Sequence, residues 1–373
     1  MSRALAAALG LLSAAGVAAC PFCAKLGNTV SDLVAAADAV VFGRFVPNPE
    51  HATGIAIEVV VKAPPGFRSG MVPLAREIAI AGAAPRLVFL RKRGEKYVVT
   101  RAAAQATRGT ADYLAALAGC ANRHDRVAAC FARLLDPAPE IADDAYKSLA
   151  KLYAAELAVE RSALDPEKLR TWLRRPDLKP DRAGLLALML GLCGTPADAD
   201  FLAAFAKNPP ERLRSARDGF LGGLFAADFA RGAEAALACL NDSAAPLADR
   251  NAGRSALAFA LAELPRVDPA PLLARALPAA EDTRLRPDLL VLFRLQEFAA
   301  AEPLALRTLK EAPAAARIAA ARYLAQRATP AARAALAEFR RAEPALAADA
   351  AQPPPFTPPP PRVGQRGATA HRP

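Results

Sequence analysis

Few residue types in this chain are placed to do chemistry, and six cysteines head them. Cys20-Pro21-Phe22-Cys23 has the spacing of a thiol–disulfide redox site. Such a site works when its first cysteine sits at a helix amino terminus after a strand, where the dipole lowers the thiol pKa. Here an apolar leader precedes Cys20, so that strand is missing, and Cys20 and Cys23 read first as structural thiols and second as a redox pair. Cys120 and Cys130 flank the loop Ala121-Asn122-Arg123-His124-Asp125. Cys20, Cys23, Cys120 and Cys130 are therefore the disulfide candidates, with their connectivity open. Together with His124 they have zinc-ligand chemistry, but they belong to separate segments and no second Cys-x-x-Cys exists, so no metal or cofactor is expected. Cys193 and Cys239 lie on apolar helical faces and read as buried small hydrophobes.

The other nucleophiles and bases form no catalytic set. His51 lies in a loop and His371 in the tail, while His124 has no Gly-x-Ser-x-Gly to serve. Asp143 and Asp144 are adjacent, so on a helix they point about a hundred degrees apart, and both read as a solvated first turn. No catalytic residue is expected, and the chain reads as a non-enzyme.

The address of the protein is written at its start. One positive charge, a short Ala/Leu run and Val17-Ala18-Ala19 make residues 1–19 a signal peptide, too short to span a bilayer. The product is exported, to periplasm or medium. Val17-Ala18-Ala19-Cys20 also resembles a bacterial lipobox, which makes Cys20 a lipidation candidate and a lipid the only membrane attachment. The formal charge of +11 comes mostly from dispersed arginines, and Arg91-Lys92-Arg93 has no stacking aromatics beside it, so nucleic acid is not an expected partner.

These residues are carried by two kinds of element. Ser31–Ala37 reads as a short helix capped by Asn28, Thr29 or Ser31. Runs rich in β-branched residues at Asp38–Val46, Ile55–Val61, Glu77–Ile80, Arg86–Leu90 and Tyr97–Val99 predict a small β barrel or sandwich over 20–107, with a hairpin at Arg93–Lys96. Beyond it, a capping residue followed by proline recurs at Asp136, Asp165, Thr195, Asp268, Glu302 and Thr329, in steps of 29, 30, 73, 34 and 27 residues. A spacing near thirty, with the long step holding two units, marks stacked helical hairpins over 108–345. Leu185–Cys193 is apolar nearly all round, the signature of a helix buried on every side, with Gly194 as its stop. The proline-rich segment 346–373 reads as a disordered tail.

The fold class expected is mainly α (α+β overall). The cysteine start, short helix and strands through "ADAVVFGRF" and "IAIEVVVK" resemble the netrin-type OB barrel of tissue inhibitors of metalloproteinases. This chain departs from that pattern in having Cys-x-x-Cys and no further cysteine before Cys120. The helical part resembles a HEAT-like α-solenoid, and the layout is similar to exported bacterial proteins of unknown function. What these resemblances imply is a non-catalytic scaffold that binds a protein or an envelope polymer on the concave helical face. A thiol–disulfide protein using Cys20 and Cys23, or a netrin-like protease inhibitor, are the alternatives.

Overall fold

The computed structural model describes residues 27–46, 54–67, 71–73, 84–94, 96–103, 106–264 and 268–352. The expected signal peptide, Cys20, Cys23, His51, the strand expected at Glu77–Ile80 and the residues from 353 on lie outside them. The protein is mainly α-helical with one small β-sheet. It divides into two compact units, one of Lys25–Leu152 with Glu160–Leu164, the other of Tyr153–Val159 with the chain from Asp165 onward.

The first unit opens with α1 (Val30–Ala36), set by a capping box. The Thr29 hydroxyl accepts the Asp32 N–H at 2.9 Å, and the Asp32 carboxylate accepts the Thr29 N–H at 2.7 Å. Five strands follow: β1 (Ala39–Val46), β2 (Gly54–Lys62), β3 (Met71–Pro73), β4 (Arg86–Arg93) and β5 (Lys96–Ala103). They form a single antiparallel sheet in the order β3-β2-β1-β4-β5, with outer strands β3 and β5 approaching each other. One sheet replaces the sandwich that the sequence left open. The central strand β1 is buried from Ala39 to Gly43, which is why its sequence is a continuous apolar run. Ala39, Val41, Ile55, Val88 and Leu90 form the sheet's core. The β4–β5 hairpin turns where expected, Arg93 facing Lys96, because Gly94 takes a left-handed φ of 61°.

Helices α2 (Arg108–Ala118), α3 (Arg123–Ala132) and α4 (Pro139–Ala150) belong to this same unit. The sequence reading ended the β module at 107; the compact unit runs on to Leu152. Composition changes at 107 because the secondary structure changes there, whereas the packing boundary comes later.

The second unit is built of α5 (Ala154–Val159), α6 (Pro166–Arg174), α7 (Pro180–Cys193), α8 (Pro196–Lys207), α9 (Arg217–Ala227), α10 (Phe229–Asn241), α11 (Leu247–Glu263), α12 (Pro269–Ala276), α13 (Arg286–Leu295), α14 (Glu302–Glu311), α15 (Ala314–Arg327), α16 (Pro330–Ala342) and α17 (Pro344–Ala351). Consecutive helices pack on each other from α6 to α11 and from α14 to α17. Odd-numbered helices pack on odd ones in two runs, α7 on α9 on α11 and α13 on α15 on α17, which form an odd-numbered layer, while α8, α10 and α12 adjoin in another. In α7 every residue from Arg182 to Gly191 is buried, as its lack of a polar face requires. The α7–α9 crossing is backbone on backbone: a Cβ on Gly191 would lie 2.0 Å from the Gly223 carbonyl oxygen, and one on Gly219 would lie 2.2 Å from the Gly184 Cα.

Of the capping prolines, those after Asp165, Thr195, Asp268 and Thr329 do start helices. Asp136 instead accepts the Ala138 N–H at 2.9 Å, and α4 begins at Pro139, two residues beyond Pro137; Glu302 is the first residue of α14 and not its cap. A second periodic signal went unread. Arg217, Arg250 and Arg286, spaced by 33 and 36 residues, lie in the first turns of α9, α11 and α13. Their Nε groups donate to the carbonyls of Ala206 at 2.7 Å, Leu240 at 3.0 Å and Ala280 at 2.8 Å, where the preceding helical segments end. Helix ends leave carbonyls without partners, and these guanidinium groups fill that vacancy. Arg217 and Arg250 also reach forward, to Asp249 at 3.2 Å and Asp282 at 2.5 Å. Two helices were missed: α5, only six residues long, and α17, which occupies the start of the segment expected to be a disordered tail.

Candidate functional site

In the first unit, a cavity of about 290 Å³ opens between α1, the end of β2, α2 and the start of α3. Val34, Ala35, Leu114 and Leu117 make its apolar wall, and Ser31, Lys62, Cys120 and Arg126 its polar one. Lys62 is already committed: its ammonium donates to the carbonyls of Val34 at 3.2 Å, Ala35 at 2.8 Å and Ala37 at 2.7 Å, the carboxyl end of α1. Cys120 is half-buried and its thiol donates back to the Ala116 carbonyl at 3.4 Å.

Next to the cavity lies a buried polar group of four residues. Asp144, 4% exposed, accepts the Ser31 N–H at 2.9 Å, the Ser31 hydroxyl, and the Tyr113 hydroxyl at 3.1 Å. Tyr113 also lies 4.0 Å from the Cys130 sulfur. Burial pushes the Cys130 thiol up to about 11 and holds the Tyr113 hydroxyl well above its usual range. Burial thus favours the protonated form of both at neutral pH. The arrangement braces α1 against α2 and α4. It corrects the reading of the acidic pair: Asp143 is exposed, but Asp144 is buried. The signal was present, since Asp144 follows Ile141 by three places and so shares the apolar stripe of α4.

Among the disulfide candidates, Cys120 and Cys130 are free thiols, and Cys20 and Cys23 lie outside the described residues. His124 is exposed in the first turn of α3, its Nδ1 3.2 Å from a Glu160 carboxylate oxygen. Cys193 and Cys239 are half-buried and not fully buried as expected, because each lies near the carboxyl end of its helix. Burial still raises both thiols, Cys193 to about 11.

The second unit holds a different kind of site. Helix α5 rests on the odd-numbered layer, with Ala154 against Leu188 of α7 and Phe259 of α11, and with Leu192, Ala226 and Leu264 around them. Leu157 is completely buried, while Val159, one turn from Glu156, is 75% exposed. The first amides of α5 are met by carboxylates: Tyr153 N–H donates to Glu156 at 2.9 Å and Ala154 N–H to Glu263 at 3.1 Å. Burial pushes Glu263 up to about 7; the Ala154 N–H opposes this and the neighbouring Glu156 charge adds to it.

Among the described residues no group of three or more His, Cys, Asp or Glu is placed to hold a metal ion, and no helix is long and apolar enough to cross a membrane. No protein-family profile and no curated protein matches the chain.

Proposed function

We propose that this chain is an exported, non-catalytic interaction scaffold whose odd-numbered helix layer receives a short apolar helix from a protein partner. The observation that carries the reading is the seat of α5. A six-residue helix cannot hold itself together in water, so its helical state depends on the groove of Leu188, Leu192, Ala226, Phe259 and Leu264 beneath it. A surface that folds one short helix by burying residues at i and i+3 has the chemistry of helix-in-groove recognition. On this reading α5 occupies the groove in the resting protein and a partner helix replaces it.

The test is a full-length Leu157→Asp variant, which should free the groove, and a fluorescent peptide spanning Tyr153–Val159 with its flanking residues. The variant should bind the peptide at least about tenfold more tightly than the wild type, and adding Phe259→Ala should abolish that gain. Equal binding by wild type and Leu157→Asp would end the proposal.

The netrin-like inhibitor reading keeps one supporting observation. The order β3-β2-β1-β4-β5, with β3 near β5, is the cyclic strand order of an OB barrel. Inhibition of a metalloprotease that depends on a free amine at Cys20 would favour it.

A further inference from the structure

We infer that the cavity between α1, the end of β2, α2 and the start of α3 binds a small amphipathic anion, an alkyl carboxylate, with its charge on Arg126 and its chain on Val34, Leu114 and Leu117. The polar groups that line this cavity are committed elsewhere, except one. The Ser31 hydroxyl donates to Asp144, the Cys120 thiol donates to the Ala116 carbonyl, and the Lys62 ammonium spends its three donors on three carbonyls at the end of α1. Arg126 is half-buried, and its guanidinium makes no hydrogen bond or ion pair with any described residue. Its planar fork of donors is therefore uncommitted where it lines the cavity.

Among the described residues, the lining has no acid to answer that charge: Lys62 and Arg126 are cations, and none of the others is Asp or Glu. The rest of the wall is hydrocarbon. Val34, Leu114 and Leu117 are buried and make its floor, while Ala35 and Ala118 are exposed and make its rim. A cation beside an apolar wall in a concave site suits a ligand with an anionic head and an alkyl chain, since the head meets a charge-assisted donor fork and the chain leaves water. A ligand cation would instead meet two like charges. A volume of about 290 Å³ is the liquid volume of about ten waters, so the ligand has roughly ten non-hydrogen atoms or fewer. This site lies wholly in the first unit and does not rest on the helix-binding reading of the second.

The test uses the full chain, titrated by calorimetry with hexanoate as the probe, acetate as the head alone and hexanamide as the chain without the charge. A second readout is the rate at which iodoacetamide alkylates Cys120, followed by peptide mass spectrometry, because that half-buried thiol lines the same cavity. Hexanoate should bind at millimolar concentration and slow Cys120 alkylation several-fold, while acetate and hexanamide should each bind at least about tenfold more weakly. Arg126→Gln should weaken hexanoate binding by about tenfold and leave hexanamide unchanged. Ala118→Phe, at the exposed rim, should shut out both, and it carries the reading if Arg126→Gln fails to fold by circular dichroism. Arg108→Gln, at an exposed arginine of α2 beside Asp112, should bind like the wild type. No hexanoate binding by the wild type, binding that leaves Cys120 alkylation unchanged, equal binding of hexanoate and hexanamide, or equal affinity of the wild type and Arg126→Gln for hexanoate would each overturn the assignment.

Discussion

Asp144 shows how much one carboxylate can organise. Three donors converge on it, two from Ser31 and one from Tyr113, and all are buried. Asp144→Ala would leave these donors without an acceptor, and we expect about 2–4 kcal/mol lost in denaturant unfolding of the first unit. Tyr113→Phe removes one donor with its bond and should be milder, near 1 kcal/mol. Equal midpoints for wild type and Asp144→Ala would show that the convergence carries no stability. At this scale the sequence was only half legible. The stripe of α4 could have placed Asp144 inward, but its partner Ser31 is 113 residues away, and no local pattern announces a hydrogen bond across that separation.

At the scale of elements, periodicity served well where it was strong. The all-apolar run of α7, the hairpin at Gly94 and the helices after Asp165, Thr195, Asp268 and Thr329 follow from spacing and capping chemistry. The six residues of α5 carry too little pattern to be read, and their helical state is imposed by what they rest on. The glycines of α7 and α9 could be counted but not interpreted, because their role is the close approach of another backbone. A Cβ at Gly223 would fall 2.3 Å from the Ala187 carbonyl oxygen, a distance neither backbone can accommodate without moving. Gly191→Ala and Gly223→Ala should each lower stability by about 2–3 kcal/mol in thermal or urea unfolding. Gly109→Ala, where the nearest atom would be 3.7 Å away, should be neutral or slightly stabilising. A neutral Gly223→Ala would mean that the crossing is looser than described.

For the whole molecule, titration sets a pH optimum. Glu263 is raised to about 7 and Asp218 to about 6, both mainly by burial. The folded state therefore holds protons that the unfolded chain has released, so between pH 4.5 and 7 these two groups make stability fall as pH rises. Other carboxylates act in the opposite direction. Asp282 is held low by Arg284 and then Arg250. At Asp32 and Asp198 burial raises the pKa, but bonds from Lys151 and Thr29, and from Thr195 and Arg170, more than offset it. Stability from those three is present above their unfolded values and lost as pH falls through the folded ones. The melting temperature should therefore peak at about pH 4, where the lowered acids are ionised in the folded and unfolded states alike, and decline as pH rises to about 7. Glu263→Gln keeps an acceptor for the Ala154 N–H without the charge. It should flatten that decline by up to about 2 kcal/mol, solvent screening of a partly exposed group allowed for. Parallel melting curves for wild type and Glu263→Gln from pH 5 to 8 would refute the role given to Glu263.

The arginine contacts along the second unit bear on how such a chain grows. Arg217 and Arg250 each seal the end of the helix behind and bind an acid ahead, a period apart. Cutting out or duplicating one period, such as 217–249, would hand every exposed end a matching closure from the next module in line. A gene that lengthens by unequal crossing-over could thus add or shed modules without ever passing through an uncapped product.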